Sequence, residues 1–512
     1  MSLNIFLLWL VSIPVIKIHA GPAPRGFLLN CGASETTKVG NLDWITDEGF
    51  IQVGNKTTLD NPDLAPILAT LRFFPDTTAK KYCFVIPTIK GGKYLIRTTY
   101  YYGGYDGGKE PPVFDQIIEG SKWSTVNTTE DYAMGLSSYY EIIAASLGKT
   151  LSICLARNEH TTSNPFISAL ELEYLENSMY NSTDFNNHGL ITVARHSFGY
   201  DGDLISFPDD QFNRNWQPFE DANPVVESHS NITSTDFWNL PPSAVFTTGL
   251  TTSRGKELNI QWPNVSLPSA NYYIALYFQD NRTPSWYSWR VFNVLVNGQN
   301  FYTNLNVTAT GVTVYATSWA LSGLTQITLA PSNDSMVGPV ISAGEVFQII
   351  HLGGRTLARD TAVMEDIARS FNNPPPDWKG DPCLPPEHAW TGVTCSTDKV
   401  VRVSNINLAN FGLVGTLSPS IANLTALKTL SLSGNKLSGS IPDMSSLKEL
   451  GSLHLDNNAF EGSIPQSLGK LPKLQEIFLQ NNNLKGSIPD AIKQKTGVNI
   501  QVTPGNHLTN SA

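Results

Sequence analysis

From residue 26 to about 350 the apolar positions come in short runs, and helical spacing is scarce. Tyr94 to Tyr102, Leu151 to Ala156, Tyr272 to Phe278 and Val312 to Ala316 are rich in β-branched and aromatic residues, with Gly, Pro, Asn and Asp between them. Such runs predict the short strands of an all-β sandwich or barrel. Beyond residue 400 the rhythm changes. Ile406, Leu430, Leu453, Ile477 and Ile500 lie 24, 23, 24 and 23 residues apart, and Asn410, Asn435, Asn458, Asn482 and Asn506 keep step with them. Leu427 to Pro442 states the unit in full, and Leu450 to Pro465 and Leu474 to Pro489 repeat it. A period of this length predicts a stack of coils, with leucines filling the core and each Asn bonding backbone at a turn. Between the two regions Val363, Ile367 and Phe371 fall at helical spacing. Asp360 is the expected N-cap and Pro374 to Pro376 the stop.

The β-rich region repeats itself. Phe114 to Trp123 aligns with Phe292 to Phe301 at an offset of 178. Pro165-Phe-Ile-Ser-Ala-Leu-Glu-Leu172 aligns with Pro339-Val-Ile-Ser-Ala-Gly-Glu-Val346 at an offset of 174, with five of eight positions identical. Matches in the same order at nearly constant offset imply two copies of one unit.

Several motifs carry a resemblance. Arg72-Phe-Phe-Pro75, Tyr82-Cys-Phe84, Tyr102-Gly-Gly-Tyr-Asp106, Phe114-Asp115 and Cys154-Leu155 resemble the first half of a plant malectin-like domain. Phe207 to Trp216 and Tyr272 to Asp280 resemble its second half, although Ser206 stands where the family often has Arg and Asp280 where Glu is common. The Asn-x-Leu-x-Gly-x-Ile-Pro units are similar to plant extracellular leucine-rich repeats, and Trp378 to Cys383 with Trp390 to Cys395 to their N-terminal cap. The expected fold is therefore mainly β. It comprises two tandem malectin-like β-sandwiches followed by a short right-handed leucine-rich-repeat solenoid with a helical N-terminal cap. The expected divisions are a signal peptide over 1–20, malectin-like halves over 26–176 and 190–350, the cap over 356–396 and repeats over 400–508. This order is similar to the exterior of symbiosis receptor-like kinases, in which the Gly-Asp-Pro-Cys junction is associated with release of the malectin-like part. On the residues alone, Gly380 to Cys383 reads as a cap turn.

Composition narrows the function. Lys and Arg number 34 against 44 Asp and Glu, and residues 400–512 hold only 6 of those acids beside 9 bases. The acidic larger segment repels phosphate backbones, so nucleic acid is not an expected partner. Ile5 to Ile16 is too short an apolar run to span a bilayer and, with Ala20, Gly21 and Ala23 after it, reads as a secretory signal. No later apolar run has the length of a membrane span. Asn55, Asn127, Asn181, Asn231, Asn264, Asn281, Asn306, Asn333 and Asn423 are candidate glycosylation sites. Cys383 and Cys395 bracket a Trp-rich turn and are the first expected disulfide; Cys83 and Cys154, in strand-like runs, are the second. That leaves Cys31 free or displacing a member of the second pair.

Catalytic and metal-ligand spacings are missing, and no cofactor is expected. Asp209/Asp210 and Glu171/Glu173 are the available acid pairs, read here as solvated loop residues rather than as a glycosidase pair. Tyr101, Tyr102, Tyr105 and Asp106 form the candidate sugar site, since aromatic faces stack on sugar rings and a carboxylate accepts their hydroxyls. Tyr277, Phe278 and Asp280 are the counterpart in the second copy. On the solenoid, Lys428, Ser431, His454, Asp456, Phe478 and Gln480 are expected on the concave face. The expected function is a secreted or cell-surface receptor-like recognition protein, not an enzyme. It binds a protein or peptide partner in plant signalling, and receptor kinases are among the candidates that hold it at the plasma membrane. The alternatives are a cell-wall carbohydrate-binding lectin and the exterior part of a longer receptor kinase.

Overall fold

The computed structural model describes residues 26–108, 110–228, 235, 237–283 and 289–509. The expected signal peptide and Asn231 lie outside them. The β-rich region is built on one continuous 11-stranded sheet. Its order runs Thr37–Val39, Leu42–Thr46, Gly26–Asn30, Ala169–Leu175, Lys93–Tyr100, Ser138–Ala145, His188–Phe198, Ala343–His351, Leu267–Phe278 and Val312–Gly323, and Gln217–Phe219 joins to the side of His188–Phe198. The first six strands belong to the first copy and the last four to the second. The copies meet where Ile142 and Ile143 pair with Ile191 and Leu190.

A smaller four-stranded sheet packs on each copy. In the first its order is Tyr82–Pro87, Thr150–Arg157, Phe114–Ile118, Ser121–Val126; in the second it is Leu258–Gln261, Gln326–Pro331, Arg290–Val296, Gln299–Val307. Each pair of sheets encloses its own apolar core, around Leu29, Ile96, Phe114 and Ile153 in one copy and Trp262, Ile274, Phe292 and Leu329 in the other. A third cluster, with Leu95, Tyr180, Trp216, Phe246 and Phe347, covers the opposite face of the large sheet. All eight residues of Lys93–Tyr100 are consequently buried.

Side chains of successive strand residues point to opposite faces, so that covered face receives Arg97, Glu141, Glu171, Arg195 and Glu345. Register sets Glu171 and Glu141 on either side of Arg97, and Arg195 opposite Glu345. The result is a row of alternating charge across five adjacent strands. Arg97 reaches Glu171 at 2.9 Å and Glu141 at 2.7 Å, and Arg195 reaches Glu141 at 2.8 Å and Glu345 at 2.7 Å. Tyr277 and Tyr180 donate to Glu345 at 2.6 and 2.8 Å. Burial drives the Glu141 carboxyl upward, but Arg195 and Arg97 outweigh it and hold its pKa at about 2. The Phe207–Trp216 segment closes over the row. Asn213 donates to Glu171 and accepts from Arg97 through its carbonyl, while Asp210 takes bonds from Arg214 and the Trp216 indole. Glu171, Glu173 and Asp210 are therefore buried, not solvated as expected. Alternation puts Glu171 and Glu173 on the covered face.

In the C-terminal region, Val403–Asn407, Thr429–Ser431, Ser452–His454, Glu476–Phe478 and Asn499–Gln501 form a parallel sheet, preceded antiparallel by Val393–Cys395 of the cap. A second parallel sheet forms the other side of the coils. Asn435 donates to the carbonyls of Leu408 and Leu432 and accepts from the Leu413 amide. Asn458, Asn482 and Asn506 repeat this pattern. One apolar core runs from the helix Ala358–Ser370 through Trp378 and Trp390 to Val502. Asp360 does not cap that helix. Leu357 holds the cap position, and Asp360, buried in the first turn, binds Arg402 at 2.8 Å and the Val403 amide. Phe371 lies past the helix end in extended backbone.

Two tests follow from the large sheet. Arg97→Met withdraws one guanidinium from two buried carboxylates. It is expected to destabilise the β-rich part by about 3–5 kcal/mol, read from urea unfolding, whereas a loss below about 1 kcal/mol would deny the row a structural role. His196, on the strand of Arg195, accepts the Trp262 indole N–H at 3.1 Å, and burial lowers its pKa from 6.5 to about 4. The native state holds this ring neutral while the unfolded chain takes up a proton, so stability should fall as pH drops from 6.5 towards 4. Urea unfolding of His196→Gln across that window should show a shallower fall.

Candidate functional site

The Tyr101 to Asp106 segment leaves the strand Lys93–Tyr100 with its alternation intact, which turns Tyr102 inward beside Tyr100. Tyr102 is buried, its hydroxyl donates to Asp106 Oδ1 at 2.5 Å, and its ring meets Tyr105 and Tyr132 edge-on at 5.6 and 5.0 Å. Tyr105 packs on Phe73 and Phe166 and donates to the Asn164 carbonyl at 2.8 Å. The Asp106 carboxylate also accepts from Ser163 and the Gly108 amide. Partial burial pushes its pKa up, and the bonds from Ser163 and Tyr102 bring it below its ordinary value. The expected platform is thus a set of rings packed on one another, with Tyr101 half-buried at its margin. In the second copy Tyr277 and Phe278 are buried, and Asp280 faces Arg282 at 2.6 Å and Arg290 at 3.4 Å.

On the solenoid, His454 stacks on Phe478 with centroids 4.4 Å apart and planes 14° apart, and its Nε2 lies 3.1 Å from Glu476. Ser431 and Asp456 are mostly buried; Asp456 accepts from Ser433 at 2.6 Å and Asn457 at 2.5 Å. Lys428 is exposed and Gln480 half-buried. Of the six candidates, His454 and Phe478 touch ring to ring, and Ser431 is the strand partner of His454.

A large concave feature lies where the β-rich part meets the cap. Cys83 and Cys154 are bonded across directly paired strands, and Cys383 is bonded to Cys395, while Cys31 is buried and free. Burial, reinforced by Asp47, raises the Cys31 thiol well above its ordinary pKa. Gly380, at φ 70°, lies against the first disulfide: a Cβ there would stand 3.2 Å from Cys83 Sγ and 3.3 Å from Cys154 Sγ. Lys81, from the first copy, donates to the carbonyls of Asp381 at 2.6 Å and Leu384 at 2.9 Å. Burial lowers its pKa to about 8. The Asp381 carboxylate accepts from Thr356 and from the Cys383 and Leu384 amides, which holds the turn closed. Beside this contact a cleft of about 1010 Å³ opens. Phe50, Val53 and Val85 line it from the β-rich side, and Ala362, Phe371 and Pro375 from the cap.

The malectin-like domain family model matches residues 29–349, and the leucine-rich-repeat model matches 426–446, 449–471 and 473–494. This chain belongs to the malectin-like domain family. A probable leucine-rich-repeat receptor-like serine/threonine-protein kinase of Arabidopsis thaliana is 28% identical over 84% of the chain and 49% of that protein. A receptor-like protein kinase of the same plant is 31% identical over 79% of the chain and 46% of its own length. The chain spans about half the length of the curated relatives it matches. Among solved structures, the ANX2 ectodomain of Arabidopsis thaliana superposes with a TM-score of 0.52 at 19% identity, over 64% of this chain and 97% of that one. The complex of the plant peptide RALF23 with FER and LLG2 contains a chain matching at TM-score 0.52 and 17% identity, over 64% of this chain and 95% of that one. These two likenesses show the malectin-like fold.

Sequence reasoning missed the cleft because the malectin-like and cap residues that close it are about 300 positions apart, as Lys81 and Asp381 are. One signal was present: a Lys-Lys pair directly before the strand Tyr82–Pro87, where an edge strand would ordinarily meet water. Seven sequon asparagines, at 55, 127, 181, 264, 306, 333 and 423, are exposed, and Asn281 is half-buried beside Arg290. Among the described residues no helix is long and apolar enough to cross a membrane. Lys81→Met strips two buried carbonyls of their donor and is expected to cost about 1–3 kcal/mol at the junction. Hydrogen exchange of residues 353–384 should rise in this variant and in Gly380→Ala, while the solenoid coils keep wild-type protection.

Proposed function

We propose that this chain is the recognition part of a receptor-type system outside the cell, and that it binds an extended peptide or protein segment without catalysing a reaction. The cleft between the malectin-like part and the cap carries this reading. Its volume of about 1010 Å³ lies at the upper end of ordinary ligand pockets, of order 300–1,000 Å³, and it sits at a domain boundary where such pockets concentrate. Its walls are already fixed by Lys81, Asp381 and the Gly380 contact, so little ordering is needed on binding. The matched families are binding types, and a protein of the same fold was solved together with a plant peptide.

On this reading residues 1–20 direct export. Residues 26–176 and 190–350 form the malectin-like halves, 356–396 the cap, and 400–508 a right-handed solenoid whose His454–Phe478 surface is the rival site to the cleft. Receptor kinases at the plasma membrane are the proposed companions. Sugar binding at Tyr102 and Tyr105 is not favoured, because both rings are occupied by neighbouring side chains.

The test is a binding screen of the glycosylated protein against secreted plant peptides, with Ala362→Trp filling the cleft. Ala362 is an exposed helix residue, so the fold should survive. Affinity for the best peptide should fall by at least about tenfold in Ala362→Trp and stay unchanged in Phe478→Ala. The reverse pattern would move the site to the solenoid, and silence across the screen with binding to wall oligosaccharides would replace the peptide reading with a lectin.

A further inference from the structure

The large sheet ends very differently on its two sides. At one end stands Thr37–Val39, three residues long with an exposed lysine, Lys38. At the other stands Val312–Gly323, twelve residues that pair only with Leu267–Phe278 among the described strands. Short length and charge, lysine above all, are the usual protection of an edge strand against pairing with another chain. The second edge has neither. It lies within a longer charge-free stretch: from Val291 to Asn333 the sequence holds no Asp, Glu, Lys, Arg or His. Those 43 residues stand in a chain whose charged fraction is 15%. They make up the outer end of the second malectin-like half, where Tyr302, Tyr315, Leu324, Thr317 and Ala320 are exposed. Loss of charge with exposed aromatics is the compositional mark of an interface core.

We propose that a second copy of this chain pairs with the edge strand Val312–Gly323 antiparallel, about a two-fold axis, so that two large sheets join. Two features favour a copy over an unrelated strand. In a two-fold pair a charge at or beside the axis would meet its own copy, at a cost, and this strand has none to repel. The run Val312–Ala316 is also straight, paired residue for residue with Phe278–Ile274, before a bulge at Thr317 and Ser318 bends the strand. An axis at Val314 sets Val312 opposite Ala316 of the second copy and Thr313 opposite Tyr315, with no side chain larger than a single aromatic in the seam. The bulge confines the contact to this run and its flanks, and so limits growth beyond a closed pair.

Sedimentation of the full, glycosylated chain over a range of concentrations tests this. The wild type should show a reversible monomer–dimer equilibrium. The double variant Thr317→Lys/Ala320→Lys should weaken it by at least about tenfold while leaving the urea unfolding curve in place. Thr36→Lys, at the opposite edge, should leave association unchanged. A wild-type chain that stays monomeric to its solubility limit overturns the proposal, as does a dimer indifferent to the two lysines. Association that appears only after enzymatic removal of the glycans, Asn306 lying on the preceding strand of the smaller sheet, overturns it for the exported protein.

Discussion

Arg195 is shared between carboxylates that belong to different halves of the malectin-like region, Glu141 of the first and Glu345 of the second. A charge removed from water must find its counter-charge at hydrogen-bond distance or be lost to neutralisation. Five buried ionised groups in one row therefore tolerate a single register of the strands that carry them. A slip of one residue anywhere between Ala169–Leu175 and Ala343–His351 would turn a charge into an apolar core and expose its partner unpaired. Among the described residues two residue pairs join the halves directly by strand pairing. The fixed relation of the halves rests on that shared guanidinium, on the Phe207–Trp216 segment laid over it and on the apolar cluster to which both halves contribute.

Much of this was legible in the sequence. The Ser-Ala-x-Glu repeat that revealed the duplication contains Glu171 and Glu345 themselves, so the repeat and the charge row are one fact seen twice. The solenoid was readable because its period is local, and Asn435, Asn458, Asn482 and Asn506 each do at their turns what an amide at that spacing can do. The misreadings have physical causes. Acid pairs on a strand were taken as solvated because a sheet covered on both faces cannot be told from one covered on a single face by period alone. In the tyrosine loop, composition offers a sugar platform while strand alternation commits Tyr102 to the core, a choice the sequence leaves open. Asp360 reads as a cap by residue type, but the helix is already capped at Leu357, and Asp360 in its buried first turn holds Arg402 instead.

The junction shows how far apart the residues of one site lie in the chain. A disulfide, a lysine and a glycine turn meet from segments that share no local pattern, and each makes sense only beside the others. Gly380 admits the turn to the disulfide, Lys81 ties down the carbonyls the turn exposes, and Asp381 satisfies the amides. The cleft is what remains when two convex bodies are held rigidly at one contact.

The asparagine ladder has a direction. Asn435, Asn458, Asn482 and Asn506 each bond back to the preceding coil, at Leu408, Leu432, Leu455 and Leu479, and none waits for the coil that follows. During synthesis the chain leaves the ribosome from its N-terminus. Every amide thus emerges to find its acceptor already in place, and the malectin-like part with its cap is the template on which the solenoid is laid down, one turn per two dozen residues translated.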